Sequence, residues 1–133
     1  MTKEELIARN RKFSIEVLMM IDLLPNNRVY DALARQLVRS STSVGANYRA
    51  ACRAKSTKDF INKLKIVEEE VDESSYFLDV LDEIDRGSNK EKLSSLLNEA
   101  NQLTSIYVAS LKTVREKAKA TKNRKSYPDN YRD

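Results

Sequence analysis

The sequence predicts an all-α protein, folded as an antiparallel up-down-up-down four-helix bundle. Three observations carry that expectation. Only two glycines (Gly45, Gly87) and two prolines (Pro25, Pro128) occur in 133 residues, so little interrupts long helices. The apolar residues recur every three or four positions, the period of a helix with one buried face, and they do not alternate as in a strand. Three short polar connections separate four such stretches, and short connections make successive helices antiparallel neighbours. At 41% hydrophobic and 33% charged residues, the balance is that of one globular domain rather than a disordered chain. No repeat of fixed period is present.

The first helix is expected over about residues 2–24. It opens at the capping box Thr2-x-x-Glu5 and carries Leu6, Phe13, Val17, Met20, Ile21 and Leu24 on one face. Pro25-Asn26-Asn27 ends it, since proline cannot continue the backbone bonding. The second, 28–53, turns Tyr30, Leu33, Leu37, Val44, Tyr48 and Ala51 inward. Its centre, Ser40 to Ala46, is built of small residues. A glycine inside a helix costs about 1 kcal/mol against alanine, so Gly45 implies close approach of another helix. The third, 57–86, starts at a cap, Ser56-x-x-Asp59, and buries Phe60, Leu64, Val67, Val71, Ser74, Leu78 and Leu81. Ile66, Phe77, Val80 and Ile84 form a second strip, read either as a subunit interface or as a wide core-facing arc. Gly87 suits a helix C-cap, and Ser88-x-x-Glu91 reads as a capping box for the fourth helix, 89–120. That helix lines up Leu93, Leu96, Leu97, Ala100, Leu103, Tyr107, Leu111, Val114 and Ala118. The bundle thus spans 1–120, and residues 121–133 read as a polar basic tail.

Composition excludes several function classes. Without histidine, the usual general base is missing, as are Ser-His and Cys-His pairs and most zinc or di-iron sites. No enzyme activity, metal or cofactor is therefore expected. Cys52 is the only cysteine and its inward position reads as a packed, inert thiol, in keeping with a reducing cytoplasm. No apolar run spans a membrane, and the polar start Met1-Thr2-Lys3-Glu4-Glu5 is unlike a signal peptide.

Charge is distributed unevenly around a net +4. Arg28, Arg35, Arg39, Arg49 and Arg53 fall within roughly a quarter of the second helix's circumference, opposite its apolar face. This stripe reads as a contact for phosphates or an acidic protein surface, or as a solvated face. Residues 66–85 hold nine acids and no base. Within them Glu69, Glu70 and Glu73 share faces that suit a hard cation less well than pairing with arginines, inside the bundle or on a neighbouring copy. Asn47 reads as a polar core residue bonded to one of these glutamates. Lys117, Lys122, Arg124 and Lys125, with Arg115 and Lys119, read as an electrostatic arm for nucleic acid, or as complements to the helix dipole. Tyr127 and Tyr131 flank Pro128 and offer surfaces for base stacking.

Three stretches carry a family resemblance: Leu24-Pro25; Gln36 to Ala51, with Ser40-Ser41-Thr42-Ser43-Val44-Gly45-Ala46-Asn47-Tyr48-Arg49 at its heart; and Phe60 to Glu73. Together they resemble the bacterial four-helix-bundle proteins of the ribosomal-RNA intervening-sequence type, over roughly residues 10–115. The resemblance implies an antiparallel bundle assembling as a ring-like homopentamer, encoded in intervening sequences of large-subunit ribosomal RNA genes or elsewhere in bacterial genomes. The family is also similar to the accessory protein of diversity-generating retroelements, a basic pentameric bundle that binds nucleic acid and partners a reverse transcriptase. By that analogy Arg39, Arg49 and Arg53 face a nucleic acid or a neighbouring subunit. This chain departs from that relative in its acidic third helix.

The expectation is a non-enzymatic, oligomeric helical module, associated with RNA or a nucleic-acid-processing protein through its basic face. The alternative is a structural assembly protein with no nucleic-acid role.

Overall fold

A computed structural model describes residues 1–125. Four helices follow in order: α1 (Lys3–Ile21), α2 (Arg28–Cys52), α3 (Thr57–Ile84) and α4 (Lys90–Lys125). Each packs on its sequence neighbours, and α4 closes the ring against α1. The antiparallel sense is visible in paired residues. Asn10 lies against Gly45, while Ser14 bonds the Ser41 carbonyl. Ser40 meets Ser74, and Tyr30 meets Ile84. There is no strand among the described residues.

Local signals set most helix starts. Thr2 and Glu5 form the reciprocal capping box, at 3.0 and 2.9 Å. Asn27 caps α2 through Tyr30 N–H, and Ser56 caps α3 through Asp59 N–H. Each side-chain oxygen satisfies an amide that has no partner within its own helix.

The ends differ from the sequence reading. α1 stops at Ile21, because Pro25 disfavours helical backbone before it; Leu24 still reaches the core from the loop. α3 stops at Ile84, so Gly87 is not its cap. Gly87 sits in the following turn at φ +102°, where the Asp85 carboxylate accepts its amide and that of Asn89. α4 begins at Lys90, one residue past the start that a Ser88 box implies. α4 runs on to Lys125, past the last apolar residue, because Thr121–Lys125 holds no helix breaker. With 36 residues it is the longest helix. Its first turns already meet α3 and α1, so the surplus lies at its C-terminal end.

The core draws on every helix: Phe13, Val17 and Met20; Leu37 and Val44; Leu64, Val67, Leu78 and Leu81; Leu93, Leu103 and Tyr107. Burying each such side chain contributes about 1.5–3 kcal/mol. The small-residue centre of α2 lets α1 and α3 approach, through the Ser14–Ser41 bond on one flank and the buried Ser40–Ser74 bond on the other. A Cβ on Gly45 would lie 3.5 Å from Asn10 Cβ, an ordinary contact. The close approach is real, but it does not require the glycine.

Candidate functional site

Arg28, Arg35, Arg39, Arg49 and Arg53 all lie on α2 or at its C-cap, and all are exposed. The opposite face is buried and the flanks are taken by α1 and α3, so this face points away from the bundle. Ala32, Thr42 and Ala46 between the arginines are exposed as well.

Arg39 differs from the other four. Its Nη1 lies 3.1 Å from Glu70 Oε2 and its Nη2 donates to Glu73 Oε1. The two carboxylates stand one turn apart on α3, so one guanidinium bridges both. The bonds to Glu73 and then Glu70 hold the Arg39 pKa above its usual value. This is the within-bundle pairing that the sequence left open. Arg28, Arg35, Arg49 and Arg53 have no ion-pair partner among the described residues.

The basic residues of α4 divide into two sets. Lys122 continues a column through Lys112, Arg115 and Lys119, at intervals of three, four and three residues. With Lys65 and Glu68 of α3, which pair with each other, and Glu116 of α4, this column borders a groove of about 570 Å³ floored by Ile61, Val108, Leu111 and Ala118. Lys117 and Arg124, seven residues apart and exposed, share a different side of the helix. Lys125 is the last residue of α4. Tyr127, Pro128 and Tyr131 lie outside the described residues. Lys112 was not part of the basic cluster read from the sequence, although its spacing from Arg115 was the available signal.

The acidic run divides too. Glu70 and Glu73 face α2, whereas Glu69, Asp72, Asp79 and Glu83 are exposed and have no ion-pair partner among the described residues. They follow one another at helical spacing, with Tyr76, 64% exposed, at the centre of the column. Traced back, the same column meets Lys65 at the wall of the groove.

Ile66, Phe77, Val80 and Ile84 share the side of α3 that carries Glu70 and Glu73, from which they stand seven or fourteen residues away. Phe77 and Ile84 are half-buried against the core, Val80 is half-buried, and Ile66 is 42% exposed. Exposed apolar side chains concentrate elsewhere, at Ile15, Leu18, Met19, Leu23 and Val29 around the end of α1.

Other polar contacts were invisible in the sequence. Asn47 bonds back to the Ser43 carbonyl at 2.9 Å and touches no glutamate, because its position on the flank of α2 lets it satisfy its own helix. An asparagine that is in the core is Asn10, fully buried and accepting a 2.8 Å bond from Tyr107 Oη. Beside it, Arg9 grips Glu99 through two bonds of 2.9 and 2.6 Å and also donates to Gln102, joining α1 to α4. Cys52 is half-buried next to Tyr48 at the other end of α2.

Fold and surfaces together define a four-helix bundle with charged columns on its outer faces. The chain belongs to the family of 23S rRNA-intervening sequence proteins, which it matches over residues 3–109. It is similar to a solved protein of unknown function from Bacteroides thetaiotaomicron VPI-5482, described as from the S23 ribosomal protein family. The two chains are 29% identical, with a TM-score of 0.72, over 80% of this chain and 97% of the other. No curated protein matches. Among the described residues no helix is long and apolar enough to cross a membrane.

Proposed function

We propose that this protein is a non-enzymatic module of the cytoplasm that associates with RNA through the outer face of α2. One observation carries the reading. Four exposed arginines, Arg28, Arg35, Arg49 and Arg53, share a helix face and lack carboxylate partners among the described residues, while Arg39, beside them, has two. Unpaired guanidinium groups spaced along a helix suit the phosphates of a nucleic-acid backbone. Lys117 and Arg124 extend the positive charge from the overhanging end of α4, with Lys125 as its last residue. The family's description, which refers to ribosomal RNA, supports RNA as the polyanion.

The test is binding to labelled, structured ribosomal RNA across a salt series. Affinity should fall by about 0.7–0.9 log units per log unit of salt for each phosphate contacted. Arg35→Glu combined with Arg49→Glu should weaken binding at least tenfold with the helical spectrum unchanged. Equal binding by that variant overturns the assignment. No binding at about 50 mM salt, where screening is weak, overturns the RNA reading itself.

A second reading, homo-oligomeric assembly, is favoured by the exposed acids on α3 that have no partner within the described chain. A ring-like homopentamer is the form implied by family resemblance, and the mass in solution tests it.

A further inference from the structure

Two apolar surfaces of the bundle are uncovered among the described residues, and they differ in kind. The first is the outward face at the end of α1. Ile15, Leu18 and Met19 lie there, with Leu23 in the turn that follows, and each is between 37% and 66% exposed. Beyond Lys12 this stretch carries Glu16 and Asp22 and no base before Pro25. Glu16 pairs with Lys12, whereas Asp22 is exposed and has no ion-pair partner among the described residues. The C-terminal end of a helix adds partial negative charge, and no basic residue in the last turn of α1 offsets it. On the side toward α4, Glu91 and Lys92 balance each other. The second surface is the groove between α3 and α4, floored by Ile61, Val108, Leu111 and Ala118. Its rim is mixed in sign but not balanced. Glu68 is taken by Lys65, which leaves Glu116 as the one acid against Lys112, Arg115, Lys119 and Lys122.

We infer that the end of α1 in one copy seats in the α3–α4 groove of the next. Apolar side chains then meet an apolar floor, and the surplus cations of the rim meet Asp22 and the negative end of the helix. The floor decides between occupants. A phosphate backbone has nothing to bury against Ile61 and Val108, the latter 48% exposed, whereas Ile15, Leu18 and Met19 do. The two surfaces look in different directions, because α1 packs on α2 and α4 and lies diagonally across the bundle from α3. Each copy therefore gives one contact and receives another, head to tail. Such a series closes into a ring where the rotation between copies returns to the start, which is the form that family resemblance implies. Along α4 the first surface lies beside Ser95 and the groove beside Arg115, about 30 Å further on. In a closed ring the bundles must then lean against the ring axis. The inference rests on the assembly reading above and adds the two surfaces that perform it. It leaves the α2 arginines free for RNA.

The experiment is a complementation read by light scattering after size exclusion, on nuclease-treated protein at about 0.15 M salt, where the screening length is about 8 Å. One variant, Ile15→Lys with Met19→Lys, spoils the end of α1. The other, Val108→Arg, spoils the groove. All three side chains are exposed, so circular dichroism should show the same helix content throughout. The wild type should run as a larger assembly and each variant alone as a monomer. A one-to-one mixture should give a dimer with one copy of each and nothing larger. It holds one intact α1 end and one intact groove, while the two spoiled surfaces, both basic, repel. If both variants keep the wild-type mass, self-association stands and these surfaces are wrong. If the mixture stays monomeric, the two surfaces are not each other's partners and the inference falls. A wild-type monomer overturns both the contact and the assembly reading, and a wild-type mass that drops to the monomer on nuclease treatment overturns them in favour of bridging by RNA.

Discussion

Tyr107 donates its hydroxyl to Asn10 Oδ1 at 2.8 Å, in the middle of the bundle and across 97 residues of sequence. Asn10 is fully buried and its Nδ2 has no partner among the described residues, so within them this bond is the one its side chain makes. Removing the hydroxyl leaves a buried carbonyl oxygen unpaired. Tyr107→Phe is therefore expected to destabilise by about 1–3 kcal/mol in urea titration. Asn10→Leu combined with Tyr107→Phe removes both polar partners and should cost less than the sum of the single changes. Additive costs would show that the bond contributes little beyond packing.

The same tyrosine links stability to alkaline pH. Tyr48 and Tyr107 lie with ring centroids 5.6 Å apart. Burial, and then the neighbouring Cys52, push the Tyr48 phenol up to about 12. Burial also pushes the Tyr107 phenol up, and the hydrogen bond it donates to Asn10 Oδ1 favours the same protonated form. An unfolded tyrosine titrates near about 10. Above that pH the unfolded chain releases protons that the folded chain keeps, so rising pH favours unfolding. The contribution is whole below about pH 10 and is lost as pH rises through the folded values. Melting temperature should fall steadily from pH 10 to pH 12, more gently in Tyr48→Phe. An identical slope in that variant would assign the loss to other groups.

What the sequence made legible was local. Thr2, Glu5 and Ser56 act within one turn, so their caps could be read from spacing alone. The inner faces of the helices followed from period, because a side chain three or four places on must share its neighbour's side. The pairs Arg9–Glu99 and Asn10–Tyr107 could not be read, since each depends on the vertical register of α1 against α4. Arg39 shows the limit for the candidate site. On α2 it is indistinguishable from Arg35 by pattern, and only the neighbouring α3 surface, with Glu70 and Glu73 at its level, sets it apart. In the same way Arg115 and Lys117 looked alike in sequence, yet only Arg115 lines the groove.

The two glycines should respond to alanine with opposite sign. Gly45 has negative φ inside α2, and a Cβ there would find Asn10 Cβ at an ordinary 3.5 Å. Gly45→Ala should then stabilise by up to about 1 kcal/mol, by restricting the unfolded chain and favouring the helix. Gly87 has open space around it, but its φ of +102° strains any residue with a side chain. Gly87→Ala should destabilise by about 1 kcal/mol or more. Paired thermal melts decide the matter. Destabilisation by Gly45→Ala would mean that α1 and α2 have no freedom to accommodate one methyl group.

Arg39 and Arg35 should separate stability from binding. Arg39 bridges Glu70 and Glu73, so Arg39→Ala breaks two ion pairs between α2 and α3 and leaves both carboxylates facing each other one turn apart. Glu70 is only 18% exposed at its side chain, which makes it the more sensitive of the two to losing its partner. Arg35 is exposed and makes no ion pair among the described residues, so Arg35→Ala leaves the fold as it was. At low salt the melting temperature of Arg39→Ala should lie below that of Arg35→Ala, and the gap should narrow in about 1 M salt, where the screening length is about 3 Å. RNA affinity should rank the other way, with Arg35→Ala the weaker binder. Equal melting temperatures at low salt would mean that the bridge is a surface contact without energetic weight. Equal RNA affinities would mean that the outer arginine acts on nothing that the bridging one does not.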